Sequence, residues 1–207
     1  MWSSVLKIYA EHCFSAASAD YYSGRFDDYL KQSAKAISLQ PDQSKYRFCF
    51  ASNILEYSSN SDGLSEDSKN KWLKIAKDEM INSQKNYPYR LPCLSSLAII
   101  ELEMGNKPES ERIKSEMFKT DTCQFVYRIN LATYDLKHNL DSEAIKEIEL
   151  VLKYDIKNTE ALSAKAYNLG NQKKYQETEI VCKEILGINP KNTFAISMLE
   201  WIRESSK

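Results

Sequence analysis

The side chains that most often carry chemistry are spread through this sequence without a catalytic or metal-binding arrangement. Its two histidines, His12 and His138, have no acidic or cysteine partner at the spacing that a metal site or a catalytic pair requires. His12 falls in a predicted helix among apolar residues and His138 in a predicted turn, so we expect surface or packing roles for both. The motifs of phosphate-binding loops, serine hydrolases and zinc proteases do not occur in the sequence.

The acidic residues and the cysteines favour the same non-catalytic interpretation. Glu143, Glu147 and Glu149 follow the polar face of a predicted helix, and solvated ion pairing with Lys146 and Lys153 explains them without acid–base catalysis. The five cysteines are odd in number and form no C-x-x-C pair, which favours free buried thiols over disulfides or a zinc site. The sequence therefore predicts a chain that is not an enzyme and that holds no metal and no cofactor.

The overall charge and hydropathy disfavour two further classes of partner. The 28 Lys and Arg residues are balanced by 29 Asp and Glu residues, and no long basic run occurs, so we expect no nucleic-acid binding. No segment approaches the roughly 20 apolar residues of a membrane span, and the start, MWSSVLKIYAEHC, does not read as a secretory signal. We therefore expect a soluble, cytoplasmic chain without direct membrane insertion.

A small residue recurs at a fixed spacing along most of the chain, which indicates an internal repeat. The residue is alanine, and successive members of the series are 34 residues apart. The second and third are the exception, since they are 47 residues apart, which is 13 more than the period. Pro41 and Pro88 are also 47 apart, and Pro88 and Pro190 are three periods apart, so a second residue type gives the same register and the same insertion. The series consists of Ala17, Ala51, Ala98, Ala132 and Ala166.

Each unit has the pattern of two helices joined by a short turn. Around 125–158, apolar residues at three- and four-residue steps predict two helices, with Asp141 or Ser142 as the N-cap of the second. In the next unit Gly187, in a left-handed cap, and Pro190 are predicted to end the second helix. Two antiparallel helices approach to about 8 Å only where both surfaces are small, so each periodic alanine is predicted to mark a helix crossing. The facing residues on the second helices are Ala76, Ser110, Ala144 and Thr178, with Tyr29 as the exception in the first unit.

This pattern resembles the tetratricopeptide (TPR) repeat. The period, the paired small residues, the turn sequences SGRF (23–26) and MGN (104–106), and the prolines after second helices all match. The resemblance implies an all-α fold, a right-handed α-solenoid of about five helix pairs with a C-terminal capping helix. The units fall near 10–43, 44–90, 91–124, 125–158 and 159–192, with the cap at 193–207, in a single domain over 1–207.

The 13 extra residues fall within 57–71, inside the second unit. The sequence there, YSSNSDGLSEDSKNK, is rich in Ser, Asn, Asp and Gly, which predicts a long turn or mobile loop. A tolerated surface insertion is the favoured interpretation, and a functional loop is the alternative.

The resemblance also implies a concave groove, built mainly from the first helix of each unit, in which a protein or peptide partner binds. The residues mapped to it are unusually apolar and aromatic, and would form a patch larger than soluble monomers normally expose. Either a partner helix or an extended peptide fills the groove, or the groove is tightly curled or covered by the chain's own termini. The predicted groove residues are Phe14, Ser18, Tyr21, Tyr22, Lys45, Phe48, Leu55, Ser95, Ile99, Leu102, Val126, Ile129, Thr133, Leu136, Glu160 and Tyr167.

One activity of TPR proteins does not fit this sequence. Arrays that hold the acidic tails of heat-shock chaperones use Lys, Asn and Arg side chains on consecutive first helices as a carboxylate clamp. The clamp positions can be aligned with the first helices of this repeat in two ways, and neither alignment places basic residues at them. We therefore expect no chaperone-tail clamp. The matching positions hold Phe14, Ser18, Cys49, Pro92 and Ser96 in one alignment, and Phe48, Ser52, Ser96, Val126 and Asn130 in the other.

The leading hypothesis is a non-catalytic protein-binding adaptor or assembly factor, and two others stay open. The stretches SADYYSGRFDDYLKQSAKAISLQPDQSKYRF and NYPYRLPCLSSLAIIELEMGN are similar to the TPR tails of bacterial O-antigen ligase and polymerase membrane proteins. That resemblance implies the extracytoplasmic or periplasmic tail of a larger glycosyltransferase-type membrane protein. Apolar residues near both ends could also pack between copies in a homo-oligomer, although capping of the array ends is favoured. They are Trp2, Val5, Leu6, Trp201 and Ile202.

Overall fold

The computed structural model describes residues 2–60, 64–85, 90–119 and 124–205, the side chains of residues 2 and 3 excepted. These ranges contain eleven helices and no strand, which confirms the predicted all-α fold of helix pairs with an additional C-terminal helix. The helices are α1 (Trp2–Tyr22), α2 (Phe26–Leu39), α3 (Ser44–Asn60), α4 (Glu66–Ser83), α5 (Arg90–Glu103), α6 (Lys107–Phe118), α7 (Phe125–Lys137), α8 (Asp141–Tyr154), α9 (Thr159–Asn171), α10 (Tyr175–Ile188) and α11 (Thr193–Ser205).

The periodic alanines lie on the first helix of each pair and are buried. Each is 1% exposed or less, and so are the facing small residues of α4, α6, α8 and α10. Where α5 meets α6, the hydroxyl of Ser110 donates to the backbone oxygen of Ala98 at 2.7 Å. Ala132 and Ala144 belong to one core cluster where α7 meets α8. The alanines therefore mark close helix contacts, as their small size requires.

In the first pair a large residue, Tyr29, takes the place of the small residue on the second helix. Its side chain is 2% exposed, and its hydroxyl donates to the backbone oxygen of Phe50 on α3 at 3.0 Å. Its ring lies 5.2 Å from that of Tyr21 and 5.6 Å from that of Phe26, measured between centroids. A tyrosine phenol is protonated at neutral pH and can donate a hydrogen bond, and burial raises the pKa of Tyr29 further. One aromatic side chain thus connects the first pair to the second.

The turn inside four of the helix pairs is built around a residue with positive φ. Gly24 and Gly105 have φ values of 73° and 76°, and Asn139 and Lys173 have values of 57° and 58°. In each turn the amide of the next residue donates to the carbonyl oxygen five positions earlier, at 2.7–3.0 Å, as in the Schellman motif that ends many helices. The last three of these residues are 34 apart. The turns therefore follow the same period as the alanines.

Two predicted helix boundaries differ from the structure. Gly187 lies within the last turn of α10 and does not have the left-handed conformation predicted for it. The helix ends instead at Asn189, which is extended because the following Pro190 disfavours the helical region for the residue before it. At the start of α8, neither Asp141 nor Ser142 caps the helix through its side chain, since Asp141 is already helical.

Most of the loop predicted at 57–71 is helical. Residues 57–60 belong to α3 and residues 66–71 to α4, while 61–63 lie outside the described residues. The N-terminus of α4 is capped by Ser65, whose hydroxyl accepts the amide of Ser68 at 3.3 Å. The prediction of a long loop was therefore wrong over most of its length.

The helical form of this insertion is stabilised by contacts with neighbouring helices. Tyr57 stacks on Phe26 of α2 with ring centroids 3.7 Å apart. Lys69 forms an ion pair with Glu103 of α5 at 2.7 Å. The polar composition that predicts a loop is thus outweighed by tertiary contacts, and the insertion lengthens both helices of the second pair.

The described helices fall into two compact units, α1–α6 within Met1–Thr120 and α7–α11 within Asp121–Lys207. In the second unit, one core cluster lies between α7 and α8 and another joins α9, α10 and α11. α11 buries Ala195 and Ile202 against this unit. The single domain and the boundaries of its repeat units stay predictions.

Replacing Ala98 by Leu should destabilise the protein, because the larger side chain would separate α5 from α6 and break the bond between Ser110 and Ala98. We expect a loss of about 1–3 kcal/mol in the free energy of unfolding. The matched control, Ala34→Leu, makes the same change at an exposed position of α2 and should stay within about 0.5 kcal/mol. Urea denaturation followed by circular dichroism measures both, and equal stability of the two variants would contradict the packing account.

Candidate functional site

The second unit contains an open groove along its first helices, called here the α7–α9–α11 groove. Its volume is about 670 Å³. The three helices run in the same direction, because an antiparallel helix connects each to the next. The lining residues are Val126, Ile129, Asn130, Thr133, Leu136, Lys137, Thr159, Glu160, Ser163, Ala164, Tyr167, Asn192 and Phe194.

The groove has a buried apolar floor and exposed apolar walls. Ile129 and Leu136 are only 7% and 5% exposed and belong to the core of the unit. Val126 on α7 is 61% exposed and Tyr167 on α9 is 42% exposed, while Phe194 adds a partly buried ring from α11. A ligand that covers these side chains removes apolar surface from water, which contributes about 25 cal/mol per Å².

Charged side chains lie at the two ends of the groove. Lys137 belongs to the last turn of α7 and Glu160 to the first turn of α9. Neither has an ion-pair partner within the described part of the chain, and the Lys137 ammonium lies 4.9 Å from the ring centroid of Tyr134. Between them, the exposed amide of Asn130 offers both a donor and an acceptor. The groove therefore presents one cation, one anion and a neutral amide around an apolar centre.

A smaller volume of about 420 Å³ between α9 and α11 adjoins the groove and shares Tyr167 and Phe194 with it. Gly170 forms part of its lining, and a Cβ atom there would lie 3.3 Å from the ring of Trp201. Trp201 thus packs directly against α9 and is still 42% exposed. Because the two volumes share two aromatic residues, they form a continuous apolar surface.

The groove brings together six of the residues predicted from the sequence: Val126, Ile129, Thr133, Leu136, Glu160 and Tyr167. The prediction missed the contribution of α11, which it treated only as a cap. The signal was present, since Phe194 lies one period after Glu160, and Trp201 lies one period after Tyr167. α11 therefore continues the repeat as a further first helix.

In the first unit, several predicted groove residues are buried and not open to a partner. Leu55, Ile99 and Leu102 are only 6–7% exposed, because α3 and α5 pack against each other and against their own second helices. Phe48 is partly buried, whereas Tyr22 is 88% exposed at the end of α1. The apolar patch that the sequence led us to expect on the surface is thus largely buried by helix packing in this unit.

The other predicted residues of the first unit make contacts within it. Phe14 stacks on Tyr46 with centroids 4.8 Å apart, and the ammonium of Lys45 lies 4.9 Å from the Phe14 ring. The hydroxyl of Tyr21 donates to the carboxylate of Glu56 at 3.0 Å. Burial and this hydrogen bond raise the pKa of Tyr21. These contacts tie α1 to α3, so they have a structural explanation.

The two histidines belong to different compact units of the chain. His12 is exposed on α1, and His138 follows the last residue of α7. The described residues contain no group of three or more His, Cys, Asp or Glu side chains that could hold a metal ion. Over the same ranges, no helix combines the length and the hydropathy needed to cross a membrane.

One carboxylate has a different partner from the one predicted. Glu147 pairs with Arg128 of α7, not with the neighbouring lysines of its own helix. Arg128 is only 4% exposed, and a guanidinium at such a position requires a carboxylate partner. The pair joins α7 to α8 and supports a structural role for Glu147.

The buried thiols favour packing over reactivity. Cys93 and Cys182 are fully buried, and burial raises the pKa of both thiols. A nucleophilic or metal-binding cysteine acts as the thiolate, which a raised pKa disfavours. The two side chains therefore serve as small apolar residues of the core.

Comparison with known proteins shows the fold. The sequence matches no protein-family model, and no curated protein is significantly similar to it. A solved structure with a similar fold is that of YrrB, described as a TPR protein with an unusual peptide-binding site. The two chains share 11% identity over 87% of each, with a TM-score of 0.51. This chain has the tetratricopeptide-repeat fold. Because the identity is so low, the likeness extends to the TPR fold and no further.

Alkylation with iodoacetamide at pH 8, mapped to each cysteine by mass spectrometry, tests the assignment of the thiols. We expect Cys93 and Cys182 to stay unmodified in the native protein and to react fully in urea, because both are buried and protonated. Cys49, which is only half-buried, serves as the internal comparison and should react faster. Rapid native labelling of Cys93 or Cys182 would indicate a reactive thiol and contradict a packing role.

Proposed function

We propose that this TPR protein is a non-catalytic protein-interaction module, an adaptor or assembly factor that holds a segment of a partner protein in the α7–α9–α11 groove. The observation that carries the proposal is the exposure of Val126 and Tyr167 above an apolar floor. Isolated exposed apolar residues need no explanation, but a concave apolar surface lined from three helices is the usual form of a binding site. The peptide-binding site for which YrrB is described supports the same use of the fold.

Binding in this groove rests on the burial of a few apolar side chains of the partner. An anchor that becomes fully buried against Tyr167 and Phe194 contributes about 1.5–3 kcal/mol. Two or three such anchors contribute roughly 3–9 kcal/mol in total, which is comparable to the entropic cost of association, so we expect a weak complex. The floor is already packed in the free protein, so the groove is largely pre-formed and little ordering is required on binding.

A role without catalysis is supported by the distribution of the titratable groups. The groove contains one lysine and one glutamate at opposite ends, and neither has a second charged group beside it among its lining residues. General acid–base or nucleophilic catalysis needs groups within hydrogen-bond reach of each other. The extracytoplasmic-tail and homo-oligomer hypotheses, and the cytoplasmic location, stay predictions.

The double variant Val126→Asp with Tyr167→Asp should abolish partner capture, because two carboxylates would replace the apolar walls of the groove. The matched control is Ile180→Asp with Tyr154→Asp, which makes comparable changes at positions of α10 and α8 that are 66% and 57% exposed. Affinity capture from a native lysate should yield proteins that bind the wild type and the control but not the groove variant. Circular dichroism should show all three proteins equally helical. Equal capture by the groove variant would contradict the proposed site.

A further inference from the structure

Resting on the proposed function, we infer that the groove takes an extended peptide with apolar residues between an acidic and a basic residue that lie about four or six positions apart, an even spacing that turns both charges to the groove. The acidic residue lies against Lys137 and the basic residue against Glu160. The two charges of the groove thereby give the bound peptide a direction and a spacing of charges, which the apolar surface alone does not provide.

The two charges of the groove lie at opposite ends of parallel helices. Lys137 is in the last turn of α7, and Glu160 is in the first turn of α9, at the level of Val126. Within the chain as described, neither charge is neutralised by an ion pair. A bound segment therefore meets a positive charge at one end and a negative charge at the other, and a complementary segment has the opposite order.

The separation of the charges determines how many residues lie between the partner's charged side chains. Val126 and Lys137 are eleven positions apart on α7, which corresponds to about 16 Å at 1.5 Å per residue. An extended chain that runs along the helix axes advances about 3.3 Å per residue, so about five residues cover this axial distance. Because only alternate side chains share a face, two charges that both face the groove are about four or six positions apart. A helix would need about eleven residues for the same span.

Polar groups within the groove favour the extended form over a helix. An extended peptide brings unpaired backbone N–H and C=O groups that need partners, whereas a helix satisfies its own. The exposed amide of Asn130 has no hydrogen-bond partner among the described residues. The amide of Asn192 accepts the backbone N–H of Ala195 through its oxygen at 3.0 Å, which leaves its NH₂ group available. These two amides lie on α7 and directly before α11, and both line the groove together with Tyr167.

The apolar side chains of the peptide occupy the space between the two charges. Alternate side chains of an extended chain point to the same face, so about one or two of the residues between the charges face the groove with them. Tyr167 and the buried floor residues Ile129 and Leu136 provide the surface between the charges. Val126 and Phe194 extend this surface beside the glutamate of the groove. The charges then fix the direction and register of the peptide, and the apolar residues supply most of the affinity.

Selection from a random peptide library displayed on phage tests the inference. Three full-length proteins serve as bait: the wild type, the charge-swapped variant Lys137→Glu with Glu160→Lys, and a control swap, Lys146→Glu with Glu149→Lys, at exposed positions of α8. All three have the same net charge. We expect the wild type and the control to enrich peptides with apolar residues between charges about four or six positions apart, with the acidic residue on one fixed side. The charge-swapped variant should enrich the reverse order.

A synthetic peptide selected by the wild type gives the size of the effect. The charge swap removes two exposed ion pairs with the peptide, so we expect it to raise the dissociation constant roughly two- to thirtyfold. Fluorescence anisotropy measures this change. The difference should shrink at about 0.5 M salt because exposed charges are screened. The control swap should bind the peptide as the wild type does.

The outcomes separate this inference from the proposed function. Apolar peptides enriched without a fixed order of charges, or with the same order for the swapped variant, would overturn the inference and leave the groove as a binding site. Charges enriched eleven positions apart would overturn the extended form. If the Val126→Asp with Tyr167→Asp variant enriches the same peptides as the wild type, both the groove and the inference fail.

Discussion

Close contact between paired helices at small residues is the constraint on which the rest of this structure depends. Ala98 and Ala132 are fully buried, and the Ser110 hydroxyl reaches the backbone of Ala98 at 2.7 Å. Such contact requires that both helices lack bulk at the same level. The sequence repeat restores this match in successive pairs, and the same period places a left-handed residue in the turns at Gly105, Asn139 and Lys173. Sequence period, turn conformation and helix packing are therefore consequences of one geometric requirement.

The same period also determines where a binding surface can form. Residues one period apart on first helices occupy equivalent places, so Val126, Glu160 and Phe194 lie at one level of the groove. Residues at one level can thus differ in type from helix to helix, while the alanines at the helix crossings stay small. Val126 is apolar, Glu160 is charged and Phe194 is aromatic. Stability rests on the buried face of each helix, while the proposed recognition of a partner uses its exposed face. A TPR array can therefore change its partner without changing its core.

The sequence predicts the fold well because the crossing residues and the turns are local and periodic. Of the residues assigned to a groove, those of the second unit line an open groove and several of the first unit are buried, for a physical reason. Periodicity identifies which face of a first helix points inward, but not whether the neighbouring first helix covers that face. In the first unit α3 and α5 bury Leu55 and Ile99, whereas in the second Val126 and Tyr167 stay open. The helical form of the 57–71 insertion was missed for a similar reason, since stacking of Tyr57 on Phe26 depends on tertiary structure.

The central claim is that the exposed face of the first helices in the second unit is where a partner is held. Photo-crosslinking tests it most directly, with benzoylphenylalanine placed at Tyr167 in one protein and at Tyr154 in another. Both positions carry an exposed tyrosine of the second unit, but only Tyr167 lines the groove. The account predicts that the partner crosslinks to position 167 and not to position 154. Crosslinking confined to position 154 would place the partner on another surface and contradict the account.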